Sequence, residues 1–331
     1  MKKKLLALFA TFAAIILCSV VIVKVVQKEE IEVESETRIV TSFYPMYILT
    51  ENLTKGVPGV KVVNLTENQT GCLHDYQLTT QDMVELSHAN LLVLNGGGME
   101  GFIERVIEQY PDLPVVRAAD GIELLANTSD HEHGEEEEHV HEEHEHEEEE
   151  EHTHEHTHDH GEYNAHVWMN LNHYLVQMSN VYEALVELDP EHEMIYRTNY
   201  KQYREKIMEL EQEFEDALAG VAGKEVVIFH DSFAYLAQEF GLEVVKAVNL
   251  DNETYLSAGE VKEIIDEVNH HKIQVLFTEE QYSDSVAKSI AKETDASVYI
   301  IDSLVTGIND LDAYINGMKS NLRVLQDALN Q

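Results

Sequence analysis

An α/β fold of two lobes joined by a long rigid α-helix is what this sequence predicts, from three observations. Short runs of β-branched residues alternate with amphipathic segments in each half of the chain, the pattern of a mostly parallel sheet covered by helices. Between the halves, Tyr196, Tyr200, Tyr203, Ile207, Leu210, Phe214 and Leu218 recur at spacings of 4, 3, 4, 3, 4 and 4, the period of one helical face. Strand candidates fall on both sides of that helix, and no obvious repeat relates the two sets.

The elements follow in chain order. Residues 1–36 open with lysines at positions 2 to 4 and an uncharged, mostly apolar run of 19 residues from Leu5 to Val23. The run exceeds the roughly 7–15 residues of a secretory core and approaches the roughly 20 that span a bilayer. No convincing small-x-small cleavage site follows, and Cys18 is preceded by Ile16 and Leu17 rather than by small residues. A retained signal-anchor is expected first, a cleaved signal peptide second and a lipoprotein third. The lysines hold the N-terminus in the cytoplasm, so the remainder faces outward. Cys72 is the other of the two cysteines, so no disulfide framework is expected on that oxidising side.

After an acidic linker, the first lobe (37–170) offers strands at 38–44, 60–65, 91–96 and 114–119. Between them lie PMYILTENLTKG and LTTQDMVELSHA, the second opened by a threonine cap. A helical connector (171–222) begins with a short helix ending near Leu188. Asp189-Pro190 then reads as an N-cap followed by proline at the first helical position. The striped helix runs roughly 30 residues, about 45 Å at 1.5 Å per residue, until Gly220 and Gly223 close it. The second lobe (223–331) has strand candidates at 226–230, 242–248, 275–279 and 297–302. Each lobe is thus Rossmann-like, and ligands of such sheets bind in the crevice outside the carboxyl ends of the strands.

Composition excludes several functions. The chain has 331 residues, 44% of them hydrophobic, and a net charge of −41. Residues 130–162 contribute 17 acids and no lysine or arginine, which leaves −24 on the rest. Such a surface repels nucleic acid and anionic headgroups and attracts cations.

The chemistry points to a metal. His74, His166 and His230 each lie at the carboxyl end of a strand or in the loop that follows, separated by 92 and 64 residues, so only the fold could unite them. One such histidine is more often structural; three at equivalent places favour a ligand set. Three imidazoles suit Zn²⁺ and leave a position for a carboxylate or water. Asp302, ending SVYIID, ranks first as a fourth ligand, and Glu279, ending VLFTE, stands second as an outer group. Asp75 and Asp231 directly follow two of the histidines and either orient imidazole rings or cap helices.

From Thr41 onward the chain resembles the zinc/manganese class of solute-binding proteins of bacterial ABC transporters. The resemblance rests on TSFYPMYIL, HDYQLTTQDM, NGGGMEGF, HVWMNL, DPEHEMIYRTNYKQY, FHDSFAYLAQEFGL, TEEQYSDSVAKSIAKETDASVY and IDSL, in that order. It implies that histidines matching His74, His166 and His230 bind the metal between the lobes, with a carboxylate near Asp302 completing the site. Manganese members carry glutamate at the position of His230, so a third histidine favours zinc. A manganese or other divalent-metal protein is the alternative. Two departures stand out. Cys72-Leu73 replaces a Glu-Pro-like pair, where Cys72 is either a small packed residue or an added thiolate. Asn164-Ala165 replaces the usual Asp-Pro.

Residues 130–162 cannot bury apolar surface and are expected to form a solvated loop. Their histidines, His131, His133, His139, His141, His144, His146, His152, His154, His156, His158 and His160, are eleven of the chain's 19. Imidazoles mixed with carboxylates bind Zn²⁺ weakly at several places, and zinc members of the family carry such a loop here. The loop is expected to gather or buffer zinc beside the tight site.

The resulting expectation is a monomeric, membrane-anchored envelope protein facing away from the cytoplasm. It would capture Zn²⁺ and deliver it to an ABC permease and its ATPase, without enzymatic chemistry. A zinc hydrolase is disfavoured because no H-E-x-x-H helix or nucleophile elbow is present, and a surface adhesin remains as a third reading. Neutral imidazole is required for ligation, so affinity should fall below about pH 6.5.

Overall fold

The computed structural model describes residues 36–67, 73, 76–127, 163–248, 256–279 and 285–330. The N-terminal segment, Cys72, His74, Asp75 and the eleven loop histidines lie outside the described residues. Among the described residues, no helix is long and apolar enough to cross a membrane.

The first lobe runs β1 (Thr37–Thr41), α1 (Tyr44–Thr54), β2 (Val60–Asn64), α2 (Thr80–Ser87), β3 (Leu91–Leu94), α3 (Gly101–Ile107) and β4 (Val115–Arg117). Its strands pair in the order β2-β1-β3-β4, all parallel. The second lobe repeats this with β5 (Glu225–Ile228), α6 (Ala234–Glu239), β6 (Glu243–Ala247), α7 (Ala258–His271), β7 (Val275–Glu279), α8 (Ser285–Lys292), β8 (Ser297–Ile301) and α9 (Ala313–Leu329). Here the order is β6-β5-β7-β8, again all parallel. In each sheet the order turns back between the first and third strands, and this is where an α/β sheet opens a crevice. Except for β7, the strands stop short of the carboxyl end that the apolar runs suggest. The residues left over, including Ser42, Phe43, Asn95, Gly96, His230 and Asp302, lie in the loops just beyond those strand ends.

The connecting helices differ from the sequence expectation in length. The first, α4 (Leu171–Leu188), ends where expected but has 18 residues and is not short, and Asn170 caps it by accepting the His173 N–H at 2.9 Å. The long helix α5 (Glu193–Ala217) has 25 residues rather than roughly 30, or about 38 Å. A tighter turn at Pro190–His192 takes up the missing part. Asp189 does not cap it. Its Oδ2 accepts from Tyr196 Oη at 3.0 Å and lies 2.8 Å from His192 Nδ1, so the carboxylate is engaged along the helix flank instead of at its N–H groups. Past α5, Gly220 and Gly223 take φ of +90° and +78°, where glycine is least strained.

One apolar core runs through both lobes and the connector. Phe43, Trp168, Tyr174, Phe214, Ile228 and Tyr314 all belong to it and are at most 1% exposed. Tyr174 stacks on Tyr314 at 3.9 Å and meets Tyr203 through their hydroxyls at 3.3 Å. A smaller apolar cluster backs each sheet on its outer side. Polar ties also cross between the lobes: Tyr44 Oη donates to Ile308 O at 2.8 Å and Asn52 Nδ2 to Leu311 O at 2.9 Å. A Cβ at Gly307 would collide with the Tyr44 ring, so the close approach there requires glycine.

Candidate metal centre

His230 is placed by the second sheet. Phe229 N–H still pairs with Phe277 O at 2.8 Å, but His230 itself, in extended backbone (φ −158°, ψ 138°), starts a tight turn over Asp231–Phe233. The Ser232 N–H donates to its Nδ1 at 3.3 Å. On the neighbouring strand, Glu279 ends β7 and is 2% exposed. Its Oε2 stands 3.2 Å from His230 Nδ1. Burial first, and then the charges of Asp302 and Asp231, push the Glu279 carboxyl well above the usual carboxylate range. A divalent cation among these groups would offset that repulsion.

His166, 1% exposed, arrives from the first lobe as the last residue before a single turn at Val167–Met169 that leads into α4. Its backbone N–H and its Nδ1 both lie 2.9 Å from Asn164 Oδ1. Behind it, Asn95 Nδ2 donates to Ala165 O at 2.9 Å, and Gln177 Nε2 donates to Asn95 Oδ1 at 2.8 Å. Asn95 is fixed in turn by Glu100, whose carboxylate accepts from Ser42 Oγ at 2.7 Å, Asn95 N–H at 2.6 Å and Gly96 N–H at 3.0 Å. Gly96 has φ of +84°, and a Cβ there would lie 3.2 Å from Arg117 Cβ, so that turn needs glycine as well. Trp168 ties this turn to the second lobe. Its Nε1 donates to Ser303 O at 2.8 Å, and its own carbonyl accepts from Tyr314 Oη at 2.6 Å.

The two imidazoles meet edge to face, with ring centroids 5.0 Å apart. Asp231 joins them: its Oδ1 is 3.5 Å from His166 Nδ1 and 3.9 Å from His230 Nδ1. His166, His230 and Asp231 can each offer one donor atom such that all lie within 4.8 Å of one another. Tetrahedral Zn²⁺ with bonds of about 2.0–2.2 Å holds its donors roughly 3.3–3.6 Å apart. The cluster therefore has a size that a small contraction would fit.

Sequence reasoning placed His166 and His230 in one cleft, and the structure brings them together. It gave Asp231 only a supporting place, whereas Asp231 stands with the two rings. Asp302 is arranged differently: its Oδ1 accepts the Leu304 N–H at 2.8 Å, and its backbone pairs with the Asn321 side chain on α9. Its charge still reaches Glu279 and Tyr44. His74 and Asp75 lie outside the described residues. The sequence reading missed Asn164 as a partner of His166. The available signal was an Asn two residues before a histidine, the spacing of an Asx turn.

Comparison with known proteins is consistent with this geometry. The sequence model of the family described as "ZnuA: Zinc-uptake complex component A periplasmic" matches residues 39–328. The iron-binding protein YfeA of Yersinia pestis is 27% identical over 284 residues, 84% of this chain and 82% of that protein. The high-affinity zinc uptake system protein ZnuA of Bacillus subtilis is 29% identical over 299 residues, 88% of this chain and 87% of that protein. Among solved structures, FpvC of Pseudomonas aeruginosa in complex with Mn²⁺ superimposes with a TM-score of 0.72 at 22% identity, covering 89% of this chain and 98% of that one. That last likeness concerns the fold.

Proposed function

The chain belongs to the ZnuA family of zinc-uptake components, and from that premise we propose that it captures Zn²⁺ outside the cytoplasm and passes it to a membrane permease driven by a partner ATPase. The ion is cargo and undergoes no chemistry. The observation that carries the reading is the buried group of His166, from the first lobe, with His230 and Asp231, from the second. Nitrogen donors beside a carboxylate suit Zn²⁺. The proposed ligand set is His74, His166 and His230, with Asp302 as the carboxylate donor. The position of Asp231 supports it as the rival, and comparing Asp302→Asn with Asp231→Asn separates the two. Glu279 backs His230.

Structural zinc sites of about 10–16 kcal/mol share that energy among four ligands, so losing one costs about 3 kcal/mol, or ~100-fold in affinity. Titration calorimetry should find one tight site in the intact protein, weakened by that factor in His230→Ala. Undiminished affinity in both His230→Ala and His166→Ala would remove the reading. The carboxylates Asp231 and Glu279 beside the rings also favour a second reading, in which Mn²⁺ or Fe²⁺ is the cargo. Competition of each ion against Zn²⁺ on the same protein decides between them.

We extend the proposal to the segments outside the described residues. The apolar run Leu5–Val23 serves as a membrane anchor for a monomer, and the loop histidines between 131 and 160 gather zinc beside the tight site. Deleting residues 131–160 should lower the bound zinc to one per chain with the tight affinity unchanged. An unchanged stoichiometry would show the loop to be inert.

A further inference from the structure

Asn164 hydrogen-bonds the first lobe's metal-facing segment to the second lobe's histidine turn. Its Nδ2 donates to Asp231 O at 2.8 Å, while its Oδ1 faces both the backbone N–H and the Nδ1 of His166, each at 2.9 Å. Chemistry fixes which amide atom is which. A backbone carbonyl only accepts and a backbone N–H only donates, so the opposite amide orientation would set oxygen against oxygen and N–H against N–H. The amide cannot rotate away easily, because its backbone is held on both sides. Asn164 N–H donates to Leu125 O at 2.8 Å, and Tyr235 Oη donates to Asn164 O at 2.6 Å. Tyr235 is fully buried and accepts the Leu125 N–H at 3.0 Å.

An oxygen that can only accept requires a proton on the nitrogen it faces. His166 Nδ1 therefore carries the ring proton, and in neutral imidazole the remaining lone pair is on Nε2. The Asp231 carboxylate, 3.5 Å from the same Nδ1, favours the proton there too. We propose that Asn164 is a positioning residue for metal capture: from a frame pinned to both lobes, it sets the tautomer and direction of the His166 ring so that Nε2 presents its lone pair to the ion. This rests on the zinc-capture reading above. A groove-closing turn without any such role would leave the ring tautomer indifferent to residue 164.

The test uses the full chain, metal-free and labelled with ¹⁵N-histidine, with His166→Gln to assign the ring. Long-range ¹H–¹⁵N correlation should show the Nδ1–H tautomer at His166 in the natural chain. Asn164→Leu, which offers no acceptor, should shift the ring toward Nε2–H and weaken Zn²⁺ binding by about 10–100-fold, the range for residues that orient a metal ligand. Asn164→Asp keeps an acceptor and should retain the Nδ1–H tautomer and recover most of the affinity. An Asn164→Leu protein with unchanged tautomer or unchanged affinity overturns the proposal. Should that variant fail to fold, an Nε2–H ring in the natural chain or in Asn164→Asp overturns it equally. His166→Ala separates the two readings. If it loses zinc while Asn164→Leu does not, capture stands and the role of Asn164 falls. If it keeps zinc, the capture reading itself falls.

Discussion

Glu100, at the start of α3, and Glu279, at the end of β7, are both buried carboxyls, yet their surroundings differ. Glu100 accepts three hydrogen bonds, from Ser42, Asn95 and Gly96, and burial nevertheless pushes its carboxyl up to about 7. Glu279 faces an imidazole and two further acids, a situation that a bound cation relieves. For Glu100 the consequence is measurable. Its folded value lies above the ordinary 4.3 or so of an unfolded glutamate. The stabilisation it lends is complete below about pH 4 and is lost as pH rises through 7, roughly 4 kcal/mol in all. Urea unfolding of the natural chain and Glu100→Gln between pH 5 and 8 should show the difference between them changing over that window. A constant difference would contradict it.

At the scale of elements, helix α7 ends on Lys272, an exposed residue at φ +57° whose N–H bonds Val268 O. Left-handed backbone at a helix end suits glycine. Lys272→Gly should therefore raise stability by about 0.5–1 kcal/mol, read as a higher melting temperature; a lower one would refute the strain. The eight strands were legible from β-branched runs, because buried parallel strands read as continuous apolar stretches. The ends of the elements were less so. Pro190 signalled a helix start, but nothing local showed that a tighter turn would come first or that Asp189 would bond Tyr196 and leave the helix uncapped. The site was half legible: strand-end histidines suggested it. Which carboxylate stands beside them depends on the turn after His230 and on the Leu304 N–H that engages the Asp302 carboxylate, and neither shows in the local pattern.

The whole molecule is two sheets on one continuous core, with Trp168, Tyr314 and Tyr44 linking the lobes through hydrogen bonds to Ser303, Trp168 and Ile308. Such a body should tilt by small amounts rather than swing on a loose hinge. One continuous apolar core holds both lobes, so the fold should stand without the ion, in contrast to a zinc finger. Chelator-treated protein should keep its far-ultraviolet circular dichroism and unfold in one transition. Added Zn²⁺ should raise stability only by mass action, about 4 kcal/mol at a thousandfold excess over Kd. Loss of the spectrum on chelation would mean that the metal is structural. One consequence lies in Trp168, the chain's single tryptophan. Its indole is sealed from water, and its ring centroid is 5.2 Å from that of His166. A charge settling on that imidazole would be felt by the excited indole, so zinc captured at the proposed site should register as a change in tryptophan emission.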